Sequence, residues 1–422
     1  MEVFARSLAG RASAESVLRR LAARARRRGL PPPAALTGDW FGGSAVLAPS
    51  VAVTATPPER AFTTVDVPPA ASTGPVGGGW FGYLGYGLTD PGRHPQPRRL
   101  PTAAWGFSDH VLRRDPAGRW WFESLGEADP DLVAELAGLV SGGEQEPVGW
   151  EIGEVRTPDA DRHRKAVRGC VEEIAAGEIF QANICSRFSV PFRGDPLEVF
   201  AAGSAAYRPA RAAYVAGEWG AVASLSPELF LSRHGRTARS SPIKGTLPRR
   251  GPQDDGNAAL LRESTKDIAE NVMIVDMARN DLGRVAEVGR VAVPRLLDVQ
   301  PHPGVWHLVS DVRAELPADL PNSALLAATF PPASVTGAPK ARALEVIAEL
   351  ESLPREVYCG AVGMVSPVAG LELNVAIRTL EHADGLLHLG VGGGITADSD
   401  PDREWRECLT KAAPALALLR RG

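Results

Sequence analysis

Lysine is scarce in this sequence. Of its 46 lysine and arginine residues only five are lysines, at positions 165, 244, 266, 340 and 411. Because arginine fills most cationic positions, a retained lysine is expected where a guanidinium cannot serve, such as where an amine must lose a proton and attack carbon. Lys244 lies between Pro242 and Gly245, and both neighbours disfavour a regular helix, so its amine is predicted on a stiff turn or strand end. The alternative is a solvated surface lysine.

Cysteine is also scarce. Cys170, Cys185, Cys359 and Cys408 are scattered, with no Cys-x-x-Cys pair. This spacing argues against a zinc site and against a disulfide framework, and it suits a reducing compartment. We therefore expect a cytoplasmic enzyme.

Long apolar runs and a strong excess of one charge are missing as well. No run reaches the 18 or so residues of a membrane span, and a formal net charge of −4 gives no reason to expect nucleic acid or an anionic membrane as partner. Residues 1–30 are rich in arginine and alanine, as transit peptides are. Acidic Glu2 and Glu15 and the helical spacing of Val17, Leu18 and Leu21 favour an amphipathic surface helix instead.

Strand patterns outnumber helix patterns and occur in antiparallel-looking pairs without an internal repeat, which predicts an α+β fold. Residues 141–147, SGGEQEP, are typical of a linker. They divide the chain into an N-terminal β-rich region, 1–145, and a second region, 155–418, that carries the motifs below. Helical spacing predicts one long helix over 257–280 and a last helix over 403–419, and we expect a single strand over 371–380.

Two acidic helix faces are candidate metal sites. Glu404, Glu407 and Lys411 share one stripe of the last predicted helix, and Asp267 and Glu270 share one stripe of the long helix. Four carboxylates directed into one space would repel one another unless a divalent cation lay between them, and oxygen ligands favour Mg2+. Two solvated helix faces are the alternative.

Two further segments suggest how a substrate is held and activated. Gly392, Gly393 and Gly394 are expected to expose successive backbone N–H groups, which would form an anion cradle. Beside the acidic helix this predicts a carboxylate substrate bridged to the protein by Mg2+. Glu228 precedes the apolar residues 229–231, so burial is expected to raise its pKa and let it donate a proton to a leaving group. A capping role is the alternative for Glu228.

Six motifs in order resemble the chorismate-utilising enzymes, a family that includes anthranilate synthase component I, aminodeoxychorismate synthase component I, isochorismate synthase and salicylate synthase. They are EIFQAN (178–183), SPE (226–228), PIKGT (242–246), KDIAEN (266–271) with DMARND (276–281), TGAPK (336–340), and GGGI (392–395) with Glu404, Glu407 and Lys411. The resemblance runs from about 157 to 415. It implies two facing antiparallel β-sheets with helices packed outside and the active site in the cleft between the sheets.

Two positions distinguish members of this family. Enzymes that add water to chorismate carry a lysine base where this chain has Gln181, which disfavours isochorismate and salicylate synthesis. Anthranilate synthases usually have alanine where this chain has Lys244, whereas aminodeoxychorismate synthases have lysine. The resemblance therefore implies amination of chorismate at C4 to 4-amino-4-deoxychorismate, the precursor of p-aminobenzoate. Anthranilate synthesis is the alternative.

The resemblance also implies a role for each motif residue. Glu228 protonates the departing 4-hydroxyl, Lys244 attacks C2 as that hydroxyl leaves, and ammonia then adds at C4 and expels the lysine. Lys411 meets the ring carboxylate, Tyr358 and Arg378 hold the enolpyruvyl carboxylate with the glycine amides, and His307 lies against the ring. The implied Mg2+ ligands are Glu270 and Glu407, with Asp267 and Glu404 close by. The implied substrate-binding residues are Gln181, Thr246, His307, Thr336, Tyr358, Arg378, Gly392, Gly393, Gly394 and Lys411.

The ammonia source is expected to be a separate protein. The sequence has no Gly-x-Cys-x-Gly nucleophile segment with a partnering His-x-Glu, so we predict a heterodimer with a glutamine amidotransferase subunit. The product would enter folate synthesis or a specialised p-aminobenzoate pathway. A chorismate-binding regulator without activity is the non-enzymatic alternative, and the presence of Glu228, Lys244, Glu270 and Glu407 disfavours it.

Overall fold

The computed structural model describes residues 2–68, 74–91 and 97–421. Within these residues the chain forms two antiparallel β-sheets, one of 12 strands and one of 10, with helices packed on the outside. The predicted α+β architecture of two facing sheets is confirmed. No helix in the described ranges is long and apolar enough to cross a lipid bilayer.

The first sheet has the spatial order β1-β8-β7-β3-β2-β11-β12-β21-β22-β10-β18, and β9 pairs with β10 beside this order. Its strands are β1 (Val3–Leu8), β2 (Ala34–Trp40), β3 (Gly43–Ala48), β7 (His110–Arg114), β8 (Trp120–Leu125), β9 (Glu151–Ile152), β10 (Gln181–Arg193), β11 (Arg211–Gly217), β12 (Gly220–Ser226), β18 (Gly337–Ala338), β21 (Thr379–Ala383) and β22 (Leu386–Ile395).

The second sheet has the order β15-β17-β14-β13-β20-β19-β5-β6-β4, and β16 pairs with β17. Its strands are β4 (Thr54–Ala55), β5 (Gly79–Leu84), β6 (Ala103–Ser108), β13 (Leu229–His234), β14 (Thr237–Ser241), β15 (Ile243–Arg249), β16 (Val291–His302), β17 (Gly304–Glu315), β19 (Ala361–Ser366) and β20 (Gly370–Val375). The helices are α1 (Ala14–Arg28), α2 (Pro130–Ser141), α3 (Ala160–Ala175), α4 (Pro196–Tyr207), α5 (Asn257–Glu263), α6 (Thr265–Gly283), α7 (Asn322–Thr329), α8 (Lys340–Leu350) and α9 (Pro401–Leu419).

Apolar side chains fill the space between the sheets and the space under the helices. Trp40 and Val222 of the first sheet meet Phe81 and Met364 of the second in one buried cluster. Helices α1, α2, α4 and α9 bury their apolar faces on the outside of the first sheet. Helices α3, α6, α7 and α8 do so in a cluster that joins the second sheet to β10 and β22. Each fully buried large side chain contributes roughly 1.5–3 kcal/mol, so these clusters fix the sheets against each other.

Strands from both regions of the sequence belong to both sheets. In the first sheet β2 pairs with β11, with Thr37 opposite Ala212. In the second sheet β5 pairs with β19, with Gly82 opposite Gly363. The linker at 141–147 therefore divides the sequence, whereas the sheets run across that division.

The start of the chain and the linker are held more tightly than their composition suggests. The predicted helix over 1–30 begins only at Ala14, because residues 3–8 form a strand that pairs with β8. Glu144, in the linker, accepts hydrogen bonds from the backbone N–H of Ser13 at 3.1 Å and from its hydroxyl at 2.7 Å. The Ser16 hydroxyl also donates to Glu144. These bonds lower the pKa of Glu144 and fasten the linker to the first turn of α1.

Two predicted elements are each divided in the structure. The helix expected over 257–280 is interrupted at Ser264, whose hydroxyl accepts the N–H of Asp267 at 3.2 Å and caps α6. The strand expected over 371–380 is two strands in different sheets, β20 in the second and β21 in the first. Arg378 lies in the crossing with φ of 50°. The crossing carries Arg378 from one sheet to the other near the predicted site.

Candidate active site

Lys244 lies where β15 of the second sheet approaches the glycine-rich end of β22 in the first. The pairing of β15 with β17 shifts register between Ile243 and Thr246, and Gly245 within this irregularity has φ of 82°. Such bulges redirect side chains. A Cβ built on Gly394 would lie 3.4 Å from Lys244 Nζ. The Lys244 side chain is 13% exposed, so it is not a solvated surface lysine.

Gln181 lies beside this amine. The same Cβ on Gly394 would be 2.1 Å from Gln181 Nε2, so a side chain at 394 would displace the Gln181 amide from its place beside Lys244. Gln181 is buried, and its Oε1 has no hydrogen-bond partner within the described part of the chain. A buried polar atom without a partner costs about 1–3 kcal/mol. A ligand that donates a hydrogen bond here would remove that cost.

The carboxylates of α6 lie under Lys244. Glu270 Oε2 is 3.6 Å from Lys244 Nζ, and Glu270 Oε1 is 3.8 Å from the more exposed Lys266. Asp267 accepts a hydrogen bond from the Ser264 hydroxyl at 2.6 Å. A Cβ on Gly245 would be 3.0 Å from Asp267 Cγ. The first turns of α6 thus place Asp267 against Gly245 and Glu270 beside the Lys244 amine.

The predicted stripe of α9 faces the glycines of β22. Lys411 bonds to Glu407 Oε1 at 2.7 Å and donates to the carbonyl of Gly392 at 2.9 Å. A Cβ on Gly393 would be 3.2 Å from Glu404 Oε2 and 3.7 Å from Glu407 Oε1. The carboxylates of Glu404 and Glu407 therefore converge on one point of the strand.

The charges of Glu404, Glu407 and the nearby lysines influence one another. Burial, and then the neighbouring Glu407, raise the pKa of Glu404. Burial also acts to raise the pKa of Glu407, but Lys411, Lys266 and Lys244 together lower it. The two helix faces are therefore close enough to influence each other through space. The alternative of two independent solvated faces does not describe them.

The carboxylates of α6 and α9 have the chemistry that a hard divalent cation requires, but within the described residues they do not yet surround one point. Among residues 2–68, 74–91 and 97–421, no group of three or more His, Cys, Asp and Glu side chains lies in a metal-holding arrangement. Glu270 and Glu407 are each paired with lysine ammonium groups, which balance their charge. The donors are all carboxylate oxygens, as Mg2+ prefers, and those of Glu404 and Glu407 already face one space.

The glycines at 392–394 are not a curled anion cradle. They lie within β22, and Gly392, Gly393 and Gly394 pair in regular register with Cys185, Ile184 and Asn183 of β10. Successive N–H groups of a paired strand point alternately to its two edges, so they do not converge on one anion. What glycine provides here is close approach, because a side chain at 393 or 394 would enter the space of Glu404, Gln181 or Lys244.

Glu228 is buried at the start of β13 beside Lys244. Burial raises its pKa to about 7, and Ser334, the Lys244 charge, the Ile243 N–H and the Arg378 charge act in the opposite direction. The Glu228 N–H donates to the Ser226 hydroxyl at 3.2 Å, so Ser226 is the capping residue. A carboxyl group that holds its proton near neutral pH suits proton donation.

His307 and Arg378 form another part of the cleft. His307 Nδ1 lies 2.8 Å from the Thr246 hydroxyl, as expected from the pairing of their strands. Burial, followed by the charges of Arg378 and His302, lowers the pKa of His307 to about 3, so its imidazole is neutral. The charge of the Arg378 guanidinium thus acts to lower the pKa of both His307 and Glu228.

Tyr358 and Thr336 have immediate neighbours that differ from those of His307 and Arg378. The Tyr358 ring packs on β22 at Gly390, where a Cβ would be 2.3 Å from the ring. Burial raises the pKa of its hydroxyl, so it remains a donor. The influences on this pKa come from Cys185, Cys359, Arg355 and Cys408, whereas Arg378 is coupled to Glu228 and His307. The Thr336 hydroxyl bonds to the carbonyls of 332 and 333, which holds its own loop.

Two neighbours of the site were not predicted. His302 packs edge-to-face on His307, with ring centroids 5.0 Å apart, and Ser334 lies close enough to Glu228 to lower its pKa. Neither lies in a motif with recognisable spacing. Only the pairing of β16 with β17 brings His302 to His307, and only the loop before β18 brings Ser334 to Glu228. The sequence carried no separate signal for them.

The family model described as chorismate binding enzyme matches residues 47–417. The chain belongs to this family. It is 42% identical over 261 residues to aminodeoxychorismate synthase component 1 of Escherichia coli, an alignment that covers 61% of this chain and 58% of that protein. It is 40% identical over 356 residues to the protein of the same name from Klebsiella aerogenes, covering 82% and 78%. Anthranilate synthase component 1 of Streptomyces coelicolor is 35% identical over 399 residues, covering 86% and 76%.

Solved structures show the same fold at lower identity. The menaquinone-specific isochorismate synthase of Escherichia coli superposes with a TM-score of 0.75 at 20% identity, covering 99% of this chain and 94% of that one. Anthranilate synthase component I of Streptococcus pneumoniae superposes with a TM-score of 0.71 at 23% identity, covering 91% and 90%. These two likenesses establish the fold and no particular reaction.

Proposed function

We propose that this chain aminates chorismate at C4 to give 4-amino-4-deoxychorismate, for p-aminobenzoate synthesis. The observation that carries the proposal is the position of Lys244, whose mostly buried amine lies 3.6 Å from Glu270 and influences the carboxyl of Glu228. The names of the Escherichia coli and Klebsiella relatives support the same reaction. All proposed catalytic and ligand residues fall within 155–418.

Glu228 and Lys244 divide the displacement into two steps. Glu228 gives its proton to the 4-hydroxyl, which leaves as water while the Lys244 amine bonds to C2 and the ring double bond shifts. Ammonia then bonds to C4, the double bond returns, the bond from C2 to Lys244 breaks, and a proton of the added nitrogen returns to Glu228. The net change exchanges a hydroxyl for an amine. Two lower barriers replace one high barrier, as in covalent catalysis generally.

The remaining residues hold the substrate. Glu270 and Glu407, with Asp267 and Glu404 beside them, would hold Mg2+, which supplies charge stabilisation for the ring carboxylate when bound. Lys411, fixed by Glu407 and Gly392, adds a positive charge for the same carboxylate. Arg378 and the Tyr358 hydroxyl serve the enolpyruvyl carboxylate. Neutral His307, Gln181, Thr246, Thr336 and the glycines at 392–394 shape the ring site.

The ammonia is proposed to come from a separate glutamine amidotransferase subunit in a heterodimer. The relatives' name, component 1, supports a second component. A cytoplasmic location is proposed as well, supported by the free state of all four cysteines.

The test is one reaction analysed for its product. The purified chain is incubated with chorismate, Mg2+ and ammonia, and the products are separated by chromatography and identified by mass spectrometry. We expect 4-amino-4-deoxychorismate, with p-aminobenzoate appearing only after a separate lyase is added, and no turnover when glutamine replaces ammonia. Anthranilate without added lyase would assign the chain to the second candidate, which the Streptomyces coelicolor relative supports. Bound but unchanged chorismate would favour the inactive regulator.

A further inference from the structure

Two of the four cysteines contact each other beside the proposed substrate site. The Cys185 and Cys359 thiols are close enough for each to change the pKa of the other. Asn183 Nδ2 lies 3.0 Å from the sulfur of Cys185 and 4.0 Å from that of Cys359. Cys185 is on β10 of the first sheet, whereas Cys359 lies just before β19 of the second. The thiol contact therefore joins the two sheets.

Both thiols adjoin residues that the reaction is proposed to use. Cys359 directly follows Tyr358 in the chain. Cys185 pairs with Gly392 across β10 and β22, and a Cβ on Gly392 would be 2.7 Å from the Cys185 sulfur. Cys359 has φ of 68°, in the left-handed region that non-glycine residues seldom adopt. A change in its bonding would therefore act on a tightly constrained segment.

A cavity leads from the surface to Cys185, one of the two thiols. It has a volume of about 120 Å³ and is lined by exposed Arg162 and by Ser352 at one side, and by Cys185 and Tyr358 inside. Cys170 and Cys408, the other two thiols, do not line it. A small oxidant can therefore reach the sulfur of Cys185.

The surroundings suit the two thiols to different steps. Burial raises the pKa of Cys185. At Cys359 burial has the same tendency, but the neighbouring Cys185 thiol and the charge of Arg355 outweigh it and lower the pKa. Arg355 is held in place by Glu351 at 2.7 Å. Cys359 is thus the better thiolate, and thiolate is the form that closes a disulfide.

We propose that Cys185 and Cys359 are a reversible oxidation site at which hydrogen peroxide or a similar two-electron oxidant forms a disulfide that switches the enzyme off. Peroxide entering the cavity is attacked by the Cys185 sulfur as its thiol gives up the proton. Its O–O bond breaks, Cys185 becomes a sulfenic acid, and the other oxygen leaves as water with the thiol proton. The Cys359 thiolate then attacks the Cys185 sulfur, and the sulfenic oxygen leaves as a second water after taking up the proton that the Cys359 thiol had released. Two thiols are oxidised by two electrons, and one peroxide is reduced to two waters.

The disulfide disturbs the site because it is shorter than the contact it replaces. An S–S bond is about 2.0 Å long and fixes its torsion, so closure moves Cys359 and the attached Tyr358 relative to β22. The loss of activity rests on the proposed function. Formation of the bond does not.

The experiment treats the full chain with hydrogen peroxide and measures thiols, crosslinks and turnover separately. We expect two of the four thiols to disappear under denaturing titration, and the peptides that carry 185 and 359 to be recovered joined, two hydrogen masses lighter. Chorismate consumption should fall by about 10²-fold, the size expected when positioning groups move by about 1 Å. Dithiothreitol should restore thiols and turnover together.

Cys185→Ser and Cys359→Ser should each keep their own untreated activity after peroxide, whereas Cys170→Ser should behave like the wild type. Four thiols remaining after treatment would overturn the proposal, as would a crosslink that involves 170 or 408. A 185–359 crosslink with unchanged turnover would overturn the switch. If the untreated chain does not consume chorismate, the proposed function fails, while the crosslink still tests the oxidation site by mass alone.

Discussion

The Lys244 ammonium lies 3.6 Å from Oε2 of Glu270. Lys266 lies 3.8 Å from the other oxygen of the same carboxylate. The two lysines share an anion but differ in exposure, with 13% of the Lys244 side chain and 59% of the Lys266 side chain open to solvent. Only Lys244 reaches Glu228 and Gly394. A Lys266 variant is therefore a matched control. It removes a lysine charge from Glu270 but leaves the amine beside Glu228 and Gly394 in place.

Lys244→Ala should reduce formation of 4-amino-4-deoxychorismate by on the order of 10³-fold or more, because the covalent route is lost. Chorismate should still bind. Steady-state kinetics with excess ammonia and equilibrium binding of chorismate measure the two effects. Lys266→Ala should retain most of the turnover. An unchanged kcat in Lys244→Ala would show that this lysine is not the nucleophile.

Glu270→Gln and Glu407→Gln should each abolish Mg2+-dependent turnover while the circular dichroism spectrum stays that of the wild type. A carboxamide keeps the shape but lacks the negative charge that a hard cation requires. Asp402→Asn, also on α9 and 67% exposed at its side chain, is the control and should remain active. Full turnover of either glutamine variant, or of the wild type in excess chelator, would contradict the metal assignment.

Turnover should depend on the protonation of Glu228, whose pKa is raised to about 7 by burial. The proton donor is the neutral carboxyl, so the rate at a fixed concentration of free ammonia should fall by about tenfold per pH unit above that value. Glu228→Gln should have little activity at any pH. A wild-type rate that stays flat from pH 6 to 9 under these conditions would exclude Glu228 as the acid.

The same group should affect stability in the opposite way from a salt-bridged carboxylate. The folded protein holds the proton more tightly than the unfolded chain, where the pKa is near 4.5. This contribution to stability is complete below that pH and is lost as the pH rises through about 7. Glu228→Gln should therefore raise the unfolding temperature at pH 8 but not at pH 4. The corresponding gain in the free energy of unfolding at pH 8 is of order 1–3 kcal/mol. Equal shifts at both pH values would contradict this reason.

Gly394→Ala should reduce turnover by at least about tenfold with the fold intact, because its methyl group would be 2.1 Å from Gln181 and 3.4 Å from Lys244. Gly138→Ala, in α2 with no atom within 4 Å of the added carbon, should be neutral in activity. Turnover of Gly394→Ala at the wild-type level would show that the approach of these side chains to β22 does not matter.

The sequence was informative about which residues gather and less so about how. The spacing of Glu404, Glu407 and Lys411 predicted a shared helix face, and they share one. The pattern at 371–380 predicted one strand, since alternation of apolar residues does not reveal that the chain changes sheets at Arg378. The glycines at 392–394 predicted exposed amides, whereas their pairing with β10 shows that their lack of side chains is what matters. Pairing partners depend on distant residues, and a local pattern carries no record of them.

The pairing of β2 with β11 and of β5 with β19 has a consequence for any attempt to isolate the region 155–418. A fragment that began after the linker would leave the edges of β11 and β19 unprotected, with rows of free backbone donors and acceptors in the middle of what had been continuous sheets. Such edges invite pairing with other molecules of the same fragment. The N-terminal region therefore prevents self-association by covering these strand edges. If a protease cuts the linker, the two pieces should remain bound to each other.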